Sequence, residues 1–225
     1  MAALETIQIE TGPRPGASVI VLHGLGADGN DFVPIAKELD LASVGEVRFV
    51  FPHASVIPVT LNNGYRMRAW YDIFAPGPDM TRREDEAGLR RSMAQIEELL
   101  QIERDRGMPA HRTVLAGFSQ GCAMALMTGL RHKERLAGIV GLSGYLPLAS
   151  STASERSDAN ALTPIFLGHG QQDEMVAMDR GVATRQALQS LGYDTQWRDY
   201  PMGHSVCMEE IADLNAWLLQ VLAKP

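Results

Sequence analysis

The segment Thr113 to Ala125 constrains the fold of this chain more than any other. Thr113-Val114-Leu115-Ala116 is a short apolar run, and it leads into Gly117-Phe118-Ser119-Gln120-Gly121. An Ala/Met/Leu-rich run with helical spacing then continues to Leu130. The order is strand, tight turn, helix, with a serine at the apex. A serine held there adopts a strained backbone conformation, and its hydroxyl stands above the end of the strand. Gly117 and Gly121 lack Cβ, so strand and helix can pack closely around the bend. The backbone N–H of Gln120 points into the same space, at a helix N-terminus where developing negative charge is favoured. This is the geometry of a nucleophile elbow, and Ser119 is its candidate nucleophile.

The rest of the chain alternates strands and helices around that unit. Ala17–Leu22, Val47–Phe51, Leu136–Leu142 and Pro164–Leu167 are compact apolar runs that read as buried strands. Thr195–Tyr200 reads as a short edge strand. Helical spacing is found in Phe32–Leu39, Glu84–Arg106, Met178–Leu191 and Cys207–Leu222. Such alternation predicts an α/β fold with a mostly parallel sheet and helices on both faces. At 225 residues and 45% hydrophobic content, one compact domain over 1–225 is expected, with 1–16 as an N-terminal extension or edge strand. Two stretches read as irregular. Residues 52–78 carry Asn62-Asn63-Gly64 and Pro76-Gly77-Pro78 as turns, and Ser150–Asn160 reads as a polar surface loop.

Composition excludes several function classes. The net charge of −7 argues against nucleic-acid binding, and no basic stripe is present to bind anionic lipid. The polar Met1–Gly16 stretch has no apolar signal core, and no apolar run reaches the ~18 residues of a membrane span. No stable membrane anchor is expected. Cys122 and Cys207 make neither a disulfide framework nor a metal spacing, so a cytoplasmic location, no metal and no cofactor are expected. A homodimer is compatible with the sequence.

In an open α/β sheet, ligands bind beyond the carboxyl ends of the strands. Ser119, the His23–Asp31 loop, Asp173 and His204 all fall just after strands, so topology brings them to one edge. A serine hydroxyl needs a base that titrates near neutral pH, and histidine supplies it. His204 follows both serine and acid in the chain, as the order Ser…Asp…His requires. His53 is a rival. His23 is expected to support its glycine loop, and His111 and His132 to be solvated. Asp173 is the candidate acid, with Glu174 and Asp179 as rivals. The glycine-rich His23–Asp31 loop matches neither a dinucleotide fingerprint nor a P-loop; it is the type of loop that supplies a second oxyanion donor. The Leu61–Phe74 wall and the Met175-Val176 pair predict an open apolar acyl groove without a charged anchor.

These segments also carry a family resemblance. Leu22-His23-Gly24-Leu25-Gly26-Ala27-Asp28-Gly29-Asn30-Asp31, Pro58-Val59-Thr60 with Trp70-Tyr71-Asp72, Gly117-Phe118-Ser119-Gln120-Gly121, Gly168-His169-Gly170 leading to Asp173, and Met202-Gly203-His204 occur in that order. Together they resemble the carboxylesterase / acyl-protein thioesterase family of α/β-hydrolases, which includes enzymes named lysophospholipases. The resemblance implies Ser119, Asp173 and His204 as a catalytic triad and the N–H groups of Leu25 and Gln120 as the oxyanion hole. It implies that Trp70 and the residues after Asp173, Met175 and Val176, border the acyl site. Cys122 departs from the family, many of whose members resemble Gly-Gly after the Ser-Gln pair; tighter packing is expected there. The activity expected is a serine carboxylesterase acting on short- to medium-chain acyl esters, with acyl-protein thioesterase or lysophospholipase as the alternative. The partner is then a small-molecule acyl ester or thioester.

Overall fold

The computed structural model describes residues 4–74 and 83–223. The Pro76-Gly77-Pro78 turn lies outside the described residues. Among the described residues seven strands form one sheet: β1 (Thr6–Glu10), β2 (Ala17–Leu22), β3 (Val47–Pro52), β6 (Thr113–Phe118), β7 (Gly138–Leu142), β8 (Ile165–Gly170) and β9 (Thr195–Tyr200). Their spatial order is β1-β3-β2-β6-β7-β8-β9. Only β1 runs antiparallel, so the N-terminal stretch is an edge strand on a parallel sheet. β4 (Val56–Val59) and β5 (Tyr65–Arg68) form a separate hairpin.

Helices cover both faces. On one face lie α2 (Glu86–Asp105), α3 (Gln120–Arg131) and α5 (Met178–Ser190), which share a core with Ile20, Leu115 and Leu167. On the other lie α1 (Val33–Glu38) and α6 (Met208–Val221), packed on Phe49, Val140 and Phe166. The inward residues of α6 are Ile211, Leu214, Trp217, Leu218 and the following Leu222, as its periodicity predicts. Among the described residues, no helix is long and apolar enough to cross a membrane.

Parallel register places the functional loops side by side. Leu22 of β2 pairs with Gly117 of β6, so the loop beginning at His23 leaves the sheet next to the elbow. Gly170 of β8 pairs with Tyr200 of β9, so the loops carrying Asp173 and His204 emerge as neighbours. The elbow glycines are required by space. A Cβ on Gly121 would lie 2.0 Å from the Leu22 carbonyl oxygen, and one on Gly117 would lie 2.1 Å from that of Gly121. Cys122 lies under the bend, 1% exposed, with its Sγ filling the gap left by Gly141 and Gly144.

The structure departs from the sequence pattern in two segments and at His132. Residues 56–68, read as irregular, form the β4–β5 hairpin, which turns through Asn63 and Gly64 at positive φ. Ser150–Asn160, read as a surface loop, contains α4 (Ala149–Glu155) and a short 3-10 turn. Serine lowers helix propensity, but tertiary partners offset this: Glu155 takes ion pairs from Arg90 and Arg131, which hold its carboxyl down to about 2. Buried Asn160 donates to the His132 and Glu134 carbonyls and accepts from Leu136 N. His132 is not freely solvated either; its Nδ1 lies 2.7 Å from Glu97 Oε2.

Glu210, in the first turn of α6, is fully buried, and neither of its oxygens has a hydrogen-bond partner among the described residues. Its carboxyl occupies the space that a side chain on Gly168 would need. Burial, with a smaller contribution from the Asp213 charge, pushes it from the ordinary 4.5 up to about 8. The native chain therefore keeps this proton to higher pH than the unfolded chain. Native stability attributable to Glu210 falls as pH rises from about 4.5 to about 8. Glu210→Gln cannot ionise, so its advantage over the parent protein should grow across that window. Urea midpoints at about pH 5 and about pH 9 measure this; the same difference at both pH values would show that Glu210 does not carry the effect.

Candidate active site

Ser119 follows β6 and begins the turn into α3 with φ 57° and ψ −116°, a backbone conformation that side chains rarely adopt. Its N–H donates to the Leu142 carbonyl at 2.9 Å, which ties the bend to β7. His204 Nε2 lies 3.0 Å from Ser119 Oγ, and His204 Nδ1 lies 2.7 Å from Asp173 Oδ2. A carboxylate only accepts, so Nδ1 carries the imidazole proton and Nε2 is free to accept from the serine hydroxyl. Asp173 is buried, and its Oδ1 accepts from Met175 N and Val176 N at 2.9 and 2.8 Å. Those two bonds fix the carboxylate and turn Oδ2 toward the ring. Phe118 packs against His204 with ring centroids 4.7 Å apart. The rival acids Glu174 and Asp179 are exposed, and neither bonds His204.

The glycine loop is held by histidines that do not reach the serine. His23 is fully buried; its Nδ1–H donates to the Gly24 carbonyl and its Nε2 accepts from Ala54 N. Burial lowers its pKa, so the ring stays neutral and keeps that tautomer. His53 Nδ1 accepts from Gly29 N. This brings Gly24 close to the elbow: a Cβ there would lie 3.3 Å from Ser119 Cβ. The Leu25 N–H has no hydrogen-bond partner among the described residues. The Gln120 N–H belongs to the first turn of α3, where no intrahelical carbonyl can reach it. The Gln120 side chain is occupied elsewhere: Oε1 accepts from Trp70 N and Nε2 donates to the Tyr71 carbonyl.

The groove over Ser119 has a volume of about 950 Å³. Leu61, Met67, Ile73, Phe74, Met175 and Val176 give it apolar walls. Trp70 corrects one expectation. It is 2% exposed, belongs to the core, and donates its indole N–H to the His23 carbonyl. It supports the glycine loop from beneath and does not line the groove; its neighbour Tyr71 does. The expectation of a groove without a charged anchor is also corrected, because Arg83 and Arg180 line it. Tyr145 also lines the groove. It follows β7 by three residues, and the strand-end rule that located Ser119 and Asp173 would have found it.

A parallel sheet with a strained serine beside a histidine–carboxylate pair defines an α/β-hydrolase, and the chain is a serine hydrolase. Residues 4–222 match the Phospholipase/Carboxylesterase family, and the chain belongs to that family. It is 42% identical to acyl-protein thioesterase 1 of Neurospora crassa, over 94% of this chain and 89% of that protein. To acyl-protein thioesterase 1 of Yarrowia lipolytica it is 40% identical, over 90% of each. Among solved structures it resembles Zea mays acyl-protein thioesterase 2, with a TM-score of 0.84 and 28% identity over 97% of this chain and 99% of that one. It also resembles Arabidopsis thaliana SOBER1, with a TM-score of 0.85 and 29% identity over 92% and 99%.

Proposed function

We propose that this chain hydrolyses acyl thioesters and esters, with the acyl thioester as its preferred substrate, and that Ser119, His204 and Asp173 carry the reaction. The observation behind the catalytic assignment is the unbroken hydrogen-bonded line from Ser119 Oγ through His204 to Asp173. The names of the relatives at about 40% identity favour acyl-protein thioesterase over a general carboxylesterase. The two unpaired cysteines suit a reducing compartment, and a cytoplasmic setting is proposed.

Ser119 Oγ attacks the acyl carbonyl carbon while its proton passes to His204 Nε2. Asp173 stabilises the imidazolium that forms and keeps the ring oriented. The carbonyl oxygen becomes an oxyanion and takes the N–H groups of Leu25 and Gln120, which no other acceptor among the described residues occupies. Collapse expels the thiol or alcohol, which receives the proton from His204 and leaves an acyl-serine. Water then attacks that ester with the same base, and free acid and serine are restored. The apolar walls, including Met175 and Val176, receive the acyl chain; each methylene there is worth only ~1–3 kcal/mol, so neighbouring chain lengths should be weakly discriminated.

Matched octanoyl substrates that differ only in the scissile atom, S-octanoyl-N-acetylcysteamine and its oxygen ester, test the preference. A kcat/KM at least about tenfold higher for the thioester is expected, equivalent to ~1.4 kcal/mol of barrier. Equal or reversed values would return the chain to the carboxylesterase reading.

A further inference from the structure

Among the described residues two guanidinium groups line the groove, and each sits over one of its aromatic rings. Arg180 Cζ sits 3.5 Å from the centroid of Tyr145, and Arg83 Cζ sits 4.4 Å from that of Phe74. The Tyr145 hydroxyl is 3.0 Å from that of Tyr71, which is buried and held protonated by that burial. The ring under Arg180 is therefore anchored. Stacking fixes the plane of a guanidinium while leaving its N–H edges free to bind.

Arg180 is uncommitted. Among the described residues it makes no ion pair and its side chain donates no hydrogen bond. The nearby groove carboxylates differ. Asp72 accepts from Thr60 N and Thr60 Oγ1, Glu84 from Leu148 N, and Asp85 from Asp72 N and Gly88 N. The chain's own donors engage these anions, whereas among the described residues no acceptor engages the Arg180 cation. Helix stability does not account for it either. Arg180 lies in the first turn of α5, where a positive charge opposes the macrodipole.

We propose that Arg180 is a specificity-determining residue that binds an anionic oxygen group, a phosphate or a carboxylate, on the substrate. The planar fork matches both groups, which share the paired-oxygen edge that guanidinium recognises. The preferred substrates are then acyl thioesters or esters that also bear an anion, carried on either the acyl chain or the leaving group. This rests on the hydrolytic reading above but not on the choice of thioester over ester.

The test is a ratio of kcat/KM within one bond type. For an anion on the leaving group, butyryl-coenzyme A is compared with butyryl-N-acetylcysteamine. For an anion on the acyl side, the mono-p-nitrophenyl ester of glutaric acid is compared with p-nitrophenyl butyrate. Arg180→Met keeps a long apolar stem over Tyr145 and removes the charge. Its anionic-to-neutral ratio should fall about tenfold in one arm, through KM, and the arm that responds locates the anion. Arg180→Lys should recover part of the ratio, and added salt should compress it in the parent protein. A ratio unchanged within about twofold in both arms overturns the proposal, as does a common loss on charged and neutral substrates alike. A failed thioester preference is separate, since it appears between the neutral thioester and the neutral ester whatever the ratio.

Discussion

Ser119→Ala is expected to lower kcat by on the order of 10⁶, the scale of loss known for a triad serine in subtilisin. The hydroxyl is the only group of this residue that the variant loses. Its backbone N–H keeps the bond to Leu142, and no side-chain capping bond to α3 is lost because none exists. Alanine carries a Cβ as serine does, so the strain at φ 57° is retained and the elbow should fold unchanged. The proposed oxyanion donors and the groove remain, so residual hydrolysis would come from binding and charge stabilisation alone. Turnover of one p-nitrophenyl ester measures the loss, and labelling by a fluorophosphonate checks its cause. Stoichiometric labelling of a folded Ser119→Ala protein would falsify the assignment of the nucleophile.

Asp173→Asn should cost about 10⁴ in kcat, the handicap this exchange imposes on a serine protease. The local geometry says why. Asparagine can keep its Oδ1 on the N–H groups of Met175 and Val176, the positions that already fix the carboxylate. The amide nitrogen then faces His204 Nδ1, where Oδ2 now accepts a hydrogen bond at 2.7 Å. Two donors cannot share that contact, so the ring shifts its proton to Nε2 and can no longer accept from Ser119. Shape is preserved while the tautomer is wrong. Glu174→Gln and Asp179→Asn, at exposed positions without a bond to His204, should stay within about tenfold of the parent, or ~1.4 kcal/mol. Circular dichroism controls for folding; a folded Asp173→Asn protein with near-normal kcat removes Asp173 from the triad.

Periodicity and chain order determined much of this protein without reference to its tertiary structure. Apolar runs marked the core strands of the sheet, because a strand buried on both faces must be apolar throughout. The glycines at 117 and 121 marked the bend, because a Cβ at either would meet backbone. Parallel strands place all their carboxyl ends on one edge, so Ser119, Asp173 and His204 could be grouped although 85 positions separate the first from the last.

Only the tertiary structure decided which side chains of the irregular segments face the groove. Trp70 and Tyr71 are adjacent and similar in composition, yet Trp70 is held under the glycine loop by the His23 carbonyl while Tyr71 lines the groove. No periodic pattern governs such a segment; its side-chain directions follow from the backbone bonds that Gln120 makes to residues 70 and 71. The same holds for α4, whose serine-rich stretch becomes helical through Arg131 and Arg90, and for Arg180, which local pattern reads as one more polar residue of a helix. A local pattern records which face of an element is buried. The chemistry opposite an exposed residue depends on contacts between segments far apart in the chain, and only the folded structure brings those together.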